Sequence, residues 1–497
     1  MSFEENITWE FLKNLADALD SYRIRVLIDA KQDILGAGIY NEDQYENILI
    51  TMLDEEKLKY SLLNFLKTVP ENGMEVLTHF SEKFSVQISK TLSLLELLKN
   101  EHLIELEILH DTIKGDDDTP DKFVFRDFLI KTTKEQISNI RPIYEPVTVI
   151  FGSENCSGCG LCAGICPMNC IGIYNGFGKI EDDKCIRCGL CYFVCPRTYL
   201  PTKVLNMTLE NASVIKEYSN VGFFLEAYSA RTKIKEISEV CQDGGISSTC
   251  LYYLFDKSKI DAALGAKMSN TLWRPEPVLL TDKKSILSTA GTKYVNNPNL
   301  RILNQKELTD KSIAVVGVPC QMQALLKSEI YNIGIPSLNN IAYRIGIFCM
   351  ESFSYESLLK ICEKLNVDIK NAKKMDINKG KFFVYTKDNE ELNIPIKEIS
   401  HLAREDCEMC YDLTSESADL SIGSIGSPSG WNTVLIRTER GKELYNNLVS
   451  NNLIESKPIE EVKPGLPLLQ RIAGSKKTNS KKHINSKLAE NIRVPNY

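Results

Sequence analysis

Several features of an exported or membrane-inserted protein are missing from this sequence. Its 497 residues contain no run of about 18 uncharged apolar residues, the length that a membrane-spanning helix needs. The first ten residues, MSFEENITWE, lack the basic and apolar parts of a signal peptide. We therefore expect a cytoplasmic protein with no transmembrane segment.

An excess of positive charge is also missing. The sequence has 59 basic and 66 acidic residues, which gives a net charge of −7. Because proteins that hold nucleic acid through phosphate contacts are rich in lysine and arginine, we expect no nucleic-acid partner. A charged fraction of 25% and a hydrophobic fraction of 43% exclude a disordered or collagen-like chain. The length indicates about three domains.

Histidine is scarce, whereas cysteine is abundant and unevenly distributed. There are five histidines and 16 cysteines, and no cysteine precedes Cys156. Nine cysteines lie between Cys156 and Cys195, and seven lie between Cys241 and Cys410. Since cytosolic thiols are kept reduced, these cysteines are predicted to be metal ligands or catalytic groups rather than disulfides. With so little imidazole, the metal chemistry should be that of iron–sulfur clusters or zinc.

The nine clustered cysteines contain one ferredoxin pattern twice. Each copy reads Cys-x2-Cys-x2-Cys-x3-Cys-Pro, the spacing of bacterial ferredoxins, in which the fourth cysteine of one copy ligates the other cluster. Zinc is the alternative, but zinc ribbons carry two Cys-x2-Cys pairs instead. Cys170 fits neither copy and is predicted to be a buried structural thiol. The pattern predicts two [4Fe-4S] clusters, held by a first set, Cys156, Cys159, Cys162 and Cys195, and a second set, Cys166, Cys185, Cys188 and Cys191.

The regions on either side of this block differ in pattern. Apolar residues recur at helical spacing from Trp9 and again from Ile88, and a short alternating stretch begins near Leu103. We interpret this first region as a small helical domain with a hairpin, with a winged helix as the alternative. The region after the block alternates strands and helices, and the chain ends in a basic helix or tail whose charges should face solvent. The predicted fold class is α+β multidomain, and the predicted domains are residues 1–147, 148–205, 214–470 and 471–497.

Two glycine-containing turns and four scattered cysteines stand out in the third region. The turns are QDGG, from Gln242, and AGTKY, from Ala290; glycine there would let the backbone approach a cofactor closely, although a structural turn is the favoured interpretation of each one alone. No GxGxxG sequence is present, so a dinucleotide-binding Rossmann site is not indicated. The residues alone leave a zinc site, a redox dithiol and a third cluster open for the cysteines. The four cysteines are Cys320, Cys349, Cys407 and Cys410, and we call them the third set.

The motifs of this region, taken in order, resemble the beta subunit of the coenzyme F420-reducing hydrogenase and its relatives. The resemblance runs from about Gly222 to about Arg471 and rests on QDGG, AGTKY, GVPCQ, IGIFCMESF, KMDINKGKFFVYTKD, CEMC, ADLSIGSIGSPSGWNTVLIRT and KPIEEVKPGL. With the ferredoxin block in front, the chain is similar to the electron-input subunit of archaeal F420H2 dehydrogenases. The helical first region departs from those subunits.

The resemblance implies FAD, a [4Fe-4S] cluster and hydride exchange with coenzyme F420 in an α/β domain. The third set matches the cluster-binding positions of the family, so three [4Fe-4S] clusters are expected in all. Cys241, Cys250 and Cys362 are then left over and expected to be buried and inert. By the resemblance, FAD is lined by Gln242, Asp243, Gly244, Gly245, Ser247, Ser248, Gly291, Thr292, Lys293 and Tyr294.

The cofactors imply an order of electron transfer. Reduced F420 gives up a hydride whereas a cubane accepts one electron, so FAD is expected between F420 and the third set, followed by the two ferredoxin clusters. No side-chain general acid is expected to be indispensable. Lys267, Arg274 and Lys293 are candidates to guide the anionic tail of F420, or are plain surface charges. His401 could reach the flavin, or is a structural donor.

Three function classes follow from these features. The leading one is an F420 oxidoreductase subunit that exchanges electrons with a larger complex, such as a heterodisulfide reductase, hydrogenase, formate dehydrogenase or respiratory complex. The second is a self-standing F420:ferredoxin oxidoreductase. The third is a redox-sensing regulator whose first region is a winged helix.

Overall fold

The computed structural model describes most of the chain from Leu27 onward. The described residues are 27, 30–38, 40–66, 73–100, 104–113, 122–132, 147–181, 183–198, 200, 216–331, 335–490, 492–495 and 497. The predicted helical stretch from Trp9 lies outside them. None of the helices within these ranges has the length and apolar character needed to cross a membrane.

The first described region consists of helices followed by an antiparallel hairpin. Asn41 caps the long second helix, because its side chain accepts from the Gln44 N–H while the Gln44 side chain accepts from the Asn41 N–H. Leu62, Phe80 and Leu94 belong to a hydrophobic core of this region's own. The elements are α1 (Lys31–Gly36), α2 (Glu42–Leu66), α3 (Gly73–Phe84), α4 (Ile88–Asn100), β1 (Ile104–Ile113) and β2 (Lys122–Thr132).

The cysteine block folds into short helices around a small hairpin. Its elements are α5 (Thr148–Gly152), α6 (Leu161–Gly164), β3 (Ile171–Tyr174), β4 (Phe177–Ile180) and α7 (Leu190–Val194). Helices α6 and α7 each follow the glycine of a Cys-Gly-Leu-Cys sequence. Gly160 and Gly189 have φ values of +88° and +76°, which residues with a side chain rarely adopt. The repeat in sequence is therefore a repeat in backbone conformation.

The third region is built on an eight-stranded mixed sheet and a separate three-stranded one. Its elements are β5 (Glu226–Thr232), α8 (Lys235–Ser238), α9 (Ile246–Asp256), β6 (Ala262–Met268), β7 (Pro275–Leu280), β8 (Ile313–Gly317), α10 (Pro319–Tyr331), α11 (Pro336–Asn339), β9 (Ile341–Ile347), α12 (Tyr355–Lys364), β10 (Ala372–Asn378), β11 (Lys381–Thr386), β12 (Glu391–Pro395), α13 (Glu405–Glu408), β13 (Leu420–Gly423), β14 (Asn432–Ile436), α14 (Glu439–Ser450), β15 (Ile454–Pro458) and α15 (Gly465–Ala489).

The order of the large sheet is β15-β5-β14-β13-β9-β8-β6-β7. The four middle strands β13, β9, β8 and β6 run parallel, and antiparallel strands extend both edges. Helices α9 and α14 bury Leu254 and Leu444 against one face. Helix α10 buries Met322 and Leu325 in a core that also holds Leu264 of β6. The overall architecture is mixed α/β with a ferredoxin-like cysteine block beside it.

One hydrophobic core joins all three regions. It contains Ile34 and Leu49 from the first helices, Leu161 and Leu190 from the cysteine block, and Val315 from the sheet. The block is thus packed between the first helices and α10, and its cysteines are held against the third region.

Candidate iron–sulfur and flavin site

The first set of cysteines lies together in the structure. Burial and then the nearby charge of Cys195 raise the pKa of Cys159 to about 12, and burial is also the main cause that raises the pKa of Cys156 to about 11. Burial and the thiolates of Cys159, Cys156 and Cys195 raise the pKa of Cys162. Cys195 belongs to the second sequence copy, and in the structure it lies near three cysteines of the first copy.

The second set lies together as well, next to the first. Burial, and after it Cys166 and Cys185, raise the pKa of Cys188 to about 12. The pKa of Cys191 is raised by burial, by those three cysteines and by Cys195 of the first set. The two sets therefore meet at Cys191 and Cys195.

Tyr40, between α1 and α2, covers the second set. Its hydroxyl donates to the Ile165 carbonyl oxygen at 3.4 Å. Burial, followed by the charges of Cys166 and Cys188, raises the pKa of this phenol. The first region therefore shields the second set from solvent on one side.

The third set comes from three separate elements. Cys320 is the second residue of α10, Cys349 follows β9, and Cys407 and Cys410 lie in and after α13. Burial raises the pKa of Cys349 to about 11, and the charge of Cys410 adds to this effect. Burial and Asp406, followed by Cys349, raise the pKa of Cys407.

Cys320 is a member of the third set that lies near the first set. Its pKa is raised by burial and then by Cys159, Asp406 and Cys410, while Arg197 lowers it. The third set therefore adjoins the first, and the first adjoins the second.

The spacing of these sulfurs is too open for zinc. Four sulfurs bound to tetrahedral zinc at about 2.3 Å lie about 3.8 Å from one another. Within the described ranges, the His, Cys, Asp and Glu group whose ligand atoms all lie within 4.8 Å is Glu405, Glu408 and His483, with no cysteine in it. A cubane spreads its four ligands over the corners of a larger body, which the wider spacing of the three sets can accommodate.

A buried lysine faces the third set. Lys476 on α15 is 7% exposed, and its Nζ donates to the carbonyl oxygens of Cys349 and Met350 at 2.7 Å each. Burial opposes the charged form, yet Cys410, Cys349 and Cys407, followed by Asp412, raise the pKa of this lysine. A buried cation needs an anionic partner, and a thiolate-bound cluster supplies one.

Arg197 lies where the first and third sets meet. It is 1% exposed, it pairs with Asp406 at 3.5 Å, and it donates to the Tyr497 hydroxyl. Among the described residues, its Nε has no hydrogen-bond partner. An unsatisfied buried donor next to Cys320 and Cys410 fits a site in which cluster sulfur accepts the bond.

Two further cations tie the block to the third region. Arg404 donates to the carbonyl oxygens of Cys156 at 2.7 Å and Gly176 at 2.9 Å, and its Nε bonds Asp406 at 2.9 Å. Lys327 on α10 is fully buried and donates to the Cys195 carbonyl oxygen at 2.7 Å. Both residues hold backbone that carries ligands of the first set.

The two predicted flavin-lining turns meet at β10. The Gln242 side chain donates to the Met375 carbonyl oxygen at 3.3 Å and to Asp376 at 3.1 Å. Burial raises the pKa of Asp243 and of Tyr294, and Asp376 adds to both effects. The structure therefore brings the turns together around Asp376, a residue that the sequence did not single out.

The glycines of the two turns differ in their surroundings. A Cβ on Gly244 would lie 2.6 Å from the Ala230 carbonyl oxygen and from the Asn432 nitrogen, so this glycine is needed for packing against the sheet. Gly245, Ser247 and Ser248 lie at the start of α9. Gly291 has a φ of +79° and open space where a Cβ would stand, which suits the approach of a cofactor.

The Lys293 side chain forms hydrogen bonds with the backbone of its own turn. Its Nζ donates to the carbonyl oxygens of Thr289, Ala290 and Gly291 at 2.5, 2.8 and 2.9 Å. Burial lowers its pKa to about 8. Lys293 therefore orders the loop that carries Gly291 and Thr292.

The other candidates are not gathered at this site. Lys267 pairs with Glu276 at 3.2 Å, and the Arg274 guanidinium lies 5.7 Å from the centre of the Tyr355 ring. His401 is exposed in a short 3-10 turn. Of the leftover thiols, Cys250 and Cys362 are buried and Cys241 is half-buried.

Sequence reasoning missed the cations around the cysteine sets. The expectation that the basic C-terminal helix turns its charges to solvent is wrong for Lys476, which is buried against the third set. Arg197 could have been found from its position after Cys195-Pro196. Lys327 and Lys476 carry no such signal, because only the packing of their helices makes them neighbours of the cysteines.

Comparisons with known proteins identify the family of the third region. Residues 227–304 and 310–462 match the models of the N-terminal and C-terminal parts of the coenzyme F420 hydrogenase/dehydrogenase beta subunit. Residues 179–197 match the 4Fe-4S binding domain, and this match contains the second copy of the ferredoxin pattern.

Individual relatives match between about half and two thirds of the chain. The coenzyme F420 hydrogenase beta subunit of Methanothermobacter thermautotrophicus is 38% identical over 279 residues, which cover 55% of this chain and 99% of that protein. One of the subunits of the F(420)H(2) dehydrogenase of Methanosarcina mazei is 36% identical over 348 residues, covering 68% of this chain and 94% of that protein.

A solved structure shows the same likeness. A chain of the F420-reducing [NiFe] hydrogenase complex from Methanosarcina barkeri, in a xenon-derivatised crystal, matches with a TM-score of 0.54 at 38% identity, covering 56% of this chain and 97% of that chain. The chain belongs to the family of coenzyme F420 hydrogenase/dehydrogenase beta subunits, which are F420-dependent oxidoreductases, and carries in addition a 4Fe-4S binding domain.

Proposed function

We propose that this protein is the F420-reactive subunit of an electron-transferring complex. It exchanges a hydride between coenzyme F420 and FAD and passes single electrons through three [4Fe-4S] clusters to or from a partner. The observation that carries the proposal is the packing of the three sets side by side: Cys320 packs against the core that holds Cys159 and Cys188, and Cys191 and Cys195 pack around Cys156.

The chain's own residues would hold the three clusters. The first, second and third sets supply four thiolates each, Lys476 balances the charge of the third, and Arg197 donates to sulfur between the third and the first. Backbone groups contribute as well, since the Ser352 N–H donates to Cys407 Sγ at 3.4 Å. Such hydrogen bonds and nearby cations raise the reduction potential of a cluster.

The flavin would be held where the two turns meet at β10. Gln242, Asp243 and Tyr294 frame this place with Asp376, and Lys293 keeps the second turn in shape. FAD supplies the conversion between two-electron and one-electron transfer when it is bound there. The chain orients the ring and needs no general acid of its own.

Electrons would leave or enter at the second set. Cys185 is half-exposed, and the neighbouring Asp183, Lys184 and Arg187 are exposed, so this loop is where a partner can come close to a ligand. The first region shields the other side of the same set through Tyr40. We propose that α1 to α4 and this loop together form the docking face for an electron-transfer partner.

Cofactor analysis of the purified protein tests the proposal. We expect about twelve iron atoms per chain, four for each cubane, together with one FAD, and we expect reduced F420 to bleach the flavin under anaerobic conditions. About eight iron atoms per chain together with bound zinc would show that the third set holds no cluster, and these cysteines would then be assigned to zinc. Cys250→Ala serves as the control, because this buried thiol lies among Leu254 and its neighbours, outside all three sets.

A further inference from the structure

Cys170 is a fifth thiol within reach of the second set. Its Sγ lies 3.4 Å from Cys166 Sγ, and the residue is 2% exposed. Cys170 and Cys166 share one hydrophobic cluster, and Cys185 packs against it. Cys170 therefore faces two of the four predicted ligands of the same cluster and is not an isolated thiol.

A tight turn creates this contact. The Asn169 N–H donates to the Cys166 carbonyl oxygen at 3.1 Å, and Asn169 adopts a φ of +49°, which asparagine tolerates better than most residues. The chain thereby reverses between Cys166 and Cys170. The Cys170 carbonyl oxygen then accepts from the Glu181 N–H at 2.8 Å, which anchors the far end of the turn.

From this geometry we propose that Cys170 is a reserve ligand of the second cluster, able to replace Cys166 on its iron. The inference rests on the proposed assignment of the second set to a [4Fe-4S] cluster. In the exchange, the Cys166 thiolate leaves the iron and takes a proton while Cys170 loses its proton and binds. One proton and one iron–sulfur bond change places, and no electron is transferred.

The contact explains why the exchange can occur without refolding. A thiol 3.4 Å from a ligand sulfur reaches the same iron through a side-chain rotation and a small shift of the turn.

The other copy of the ferredoxin pattern lacks such a reserve and provides the matched control. Position 199, four residues after Cys195, is a tyrosine. The Thr198 hydroxyl bonds the carbonyl oxygens of Tyr192 and Cys195 at 3.0 and 2.8 Å and carries no sulfur. Loss of Cys195 should therefore leave the first cluster without a fourth thiolate.

Iron analysis and EPR spectroscopy of anaerobically prepared variants test the inference. Cys166→Ala should keep the iron content of the unaltered protein with a changed EPR line shape for the second cluster. Cys166→Ala/Cys170→Ala should lose about four iron atoms per chain. Cys195→Ala should lose the first cluster, or one iron of it, although Cys156, Cys159 and Cys162 are intact.

The inference is overturned if Cys166→Ala and the double variant lose the same iron, or if both keep all of it. A second measurement covers the case in which Cys166→Ala does not fold. With Cys166 intact, Cys170→Ala should keep full iron but release the second cluster severalfold faster to an iron chelator, whereas Cys250→Ala should not. Equal release from Cys170→Ala and the unaltered protein would also refute the inference. An unaltered protein without clusters would instead refute the proposed function.

Discussion

Replacing Lys476 by methionine should lower the reduction potential of the third cluster. The change removes one positive charge from a side chain that is 7% exposed and whose Nζ bonds only the carbonyl oxygens of Cys349 and Met350 among the described contacts. Methionine keeps nearly the same length and apolar stem. An added electron on the cluster loses a favourable interaction with the ammonium, so the oxidised state gains relative stability.

The size of the effect follows from Coulomb's law. At an effective dielectric constant of about 20 and a charge separation of about 8 Å, the lost interaction is about 2 kcal/mol. Since about 59 mV corresponds to a tenfold change for one electron, the potential should fall by about 90 mV. Asp412 and Glu351 also feel the charge of Lys476, so their uptake of protons would reduce the observed shift.

Redox titration followed by EPR and visible absorbance measures this shift. Lys481→Met is the matched control, because Lys481 is an exposed cation on the same helix and should leave all potentials unchanged. The iron content of both variants must equal that of the unaltered protein. An unchanged or higher potential of the third cluster in Lys476→Met, with full iron, would show that the lysine does not face a cluster.

Three further outcomes are expected. Cys188→Ala should leave flavin reduction by reduced F420 nearly intact while transfer to an external one-electron acceptor falls by an order of magnitude; equal loss of both would mean that the block is needed to fold the third region. A shortened chain that begins near Val147 should no longer copurify with the native complex. It should also lose the second cluster faster in air, because Tyr40 no longer covers that cluster. Unchanged copurification would mean that α1 to α4 only protect the cluster. Burial lowers the pKa of Lys293 to about 8, whereas a lysine in an unfolded chain titrates at about 10.4. Between these pH values the unfolded chain binds more protons than the folded one, so the free energy of unfolding should rise with pH. Lys293→Met should flatten this rise in denaturant titrations.

The spacing in the sequence alone predicts how the cysteines of the block group into two sets. The spacing of a short motif determines which backbone segments wrap around a cluster, and the placement of Cys195 beside Cys156 and Cys159 agrees with the crossed pattern. The glycines before α6 and α7 could also be interpreted locally, since a positive φ is a property of one residue. Patterns of this kind depend only on residues close in sequence, so they can be recognised without the tertiary structure.

The surroundings of the third set could not be predicted in the same way. Lys476 lies in a Lys- and Ser-rich stretch that is typical of a solvated helix, and only the packing of α15 against Cys349 buries it. Gly244 was expected to approach a cofactor, but the packing of the sheet against its turn also requires a glycine there. Both cases depend on contacts between residues far apart in sequence, which periodicity and spacing do not encode.

The contact between the cysteine block and the third region determines how electron transfer can be controlled. A Cβ on Gly164 would lie 2.1 Å from the Leu300 carbonyl oxygen, and the Leu300 N–H donates to the Cys159 carbonyl oxygen at 3.2 Å. Backbone therefore meets backbone, with Lys327 and Arg404 holding the same junction. Among the described residues, this junction gives the block no freedom to swing as a carrier. The rate of transfer inside the chain should then be independent of solvent viscosity, and a foreign ferredoxin without a glycine at this position could not be exchanged for the native block.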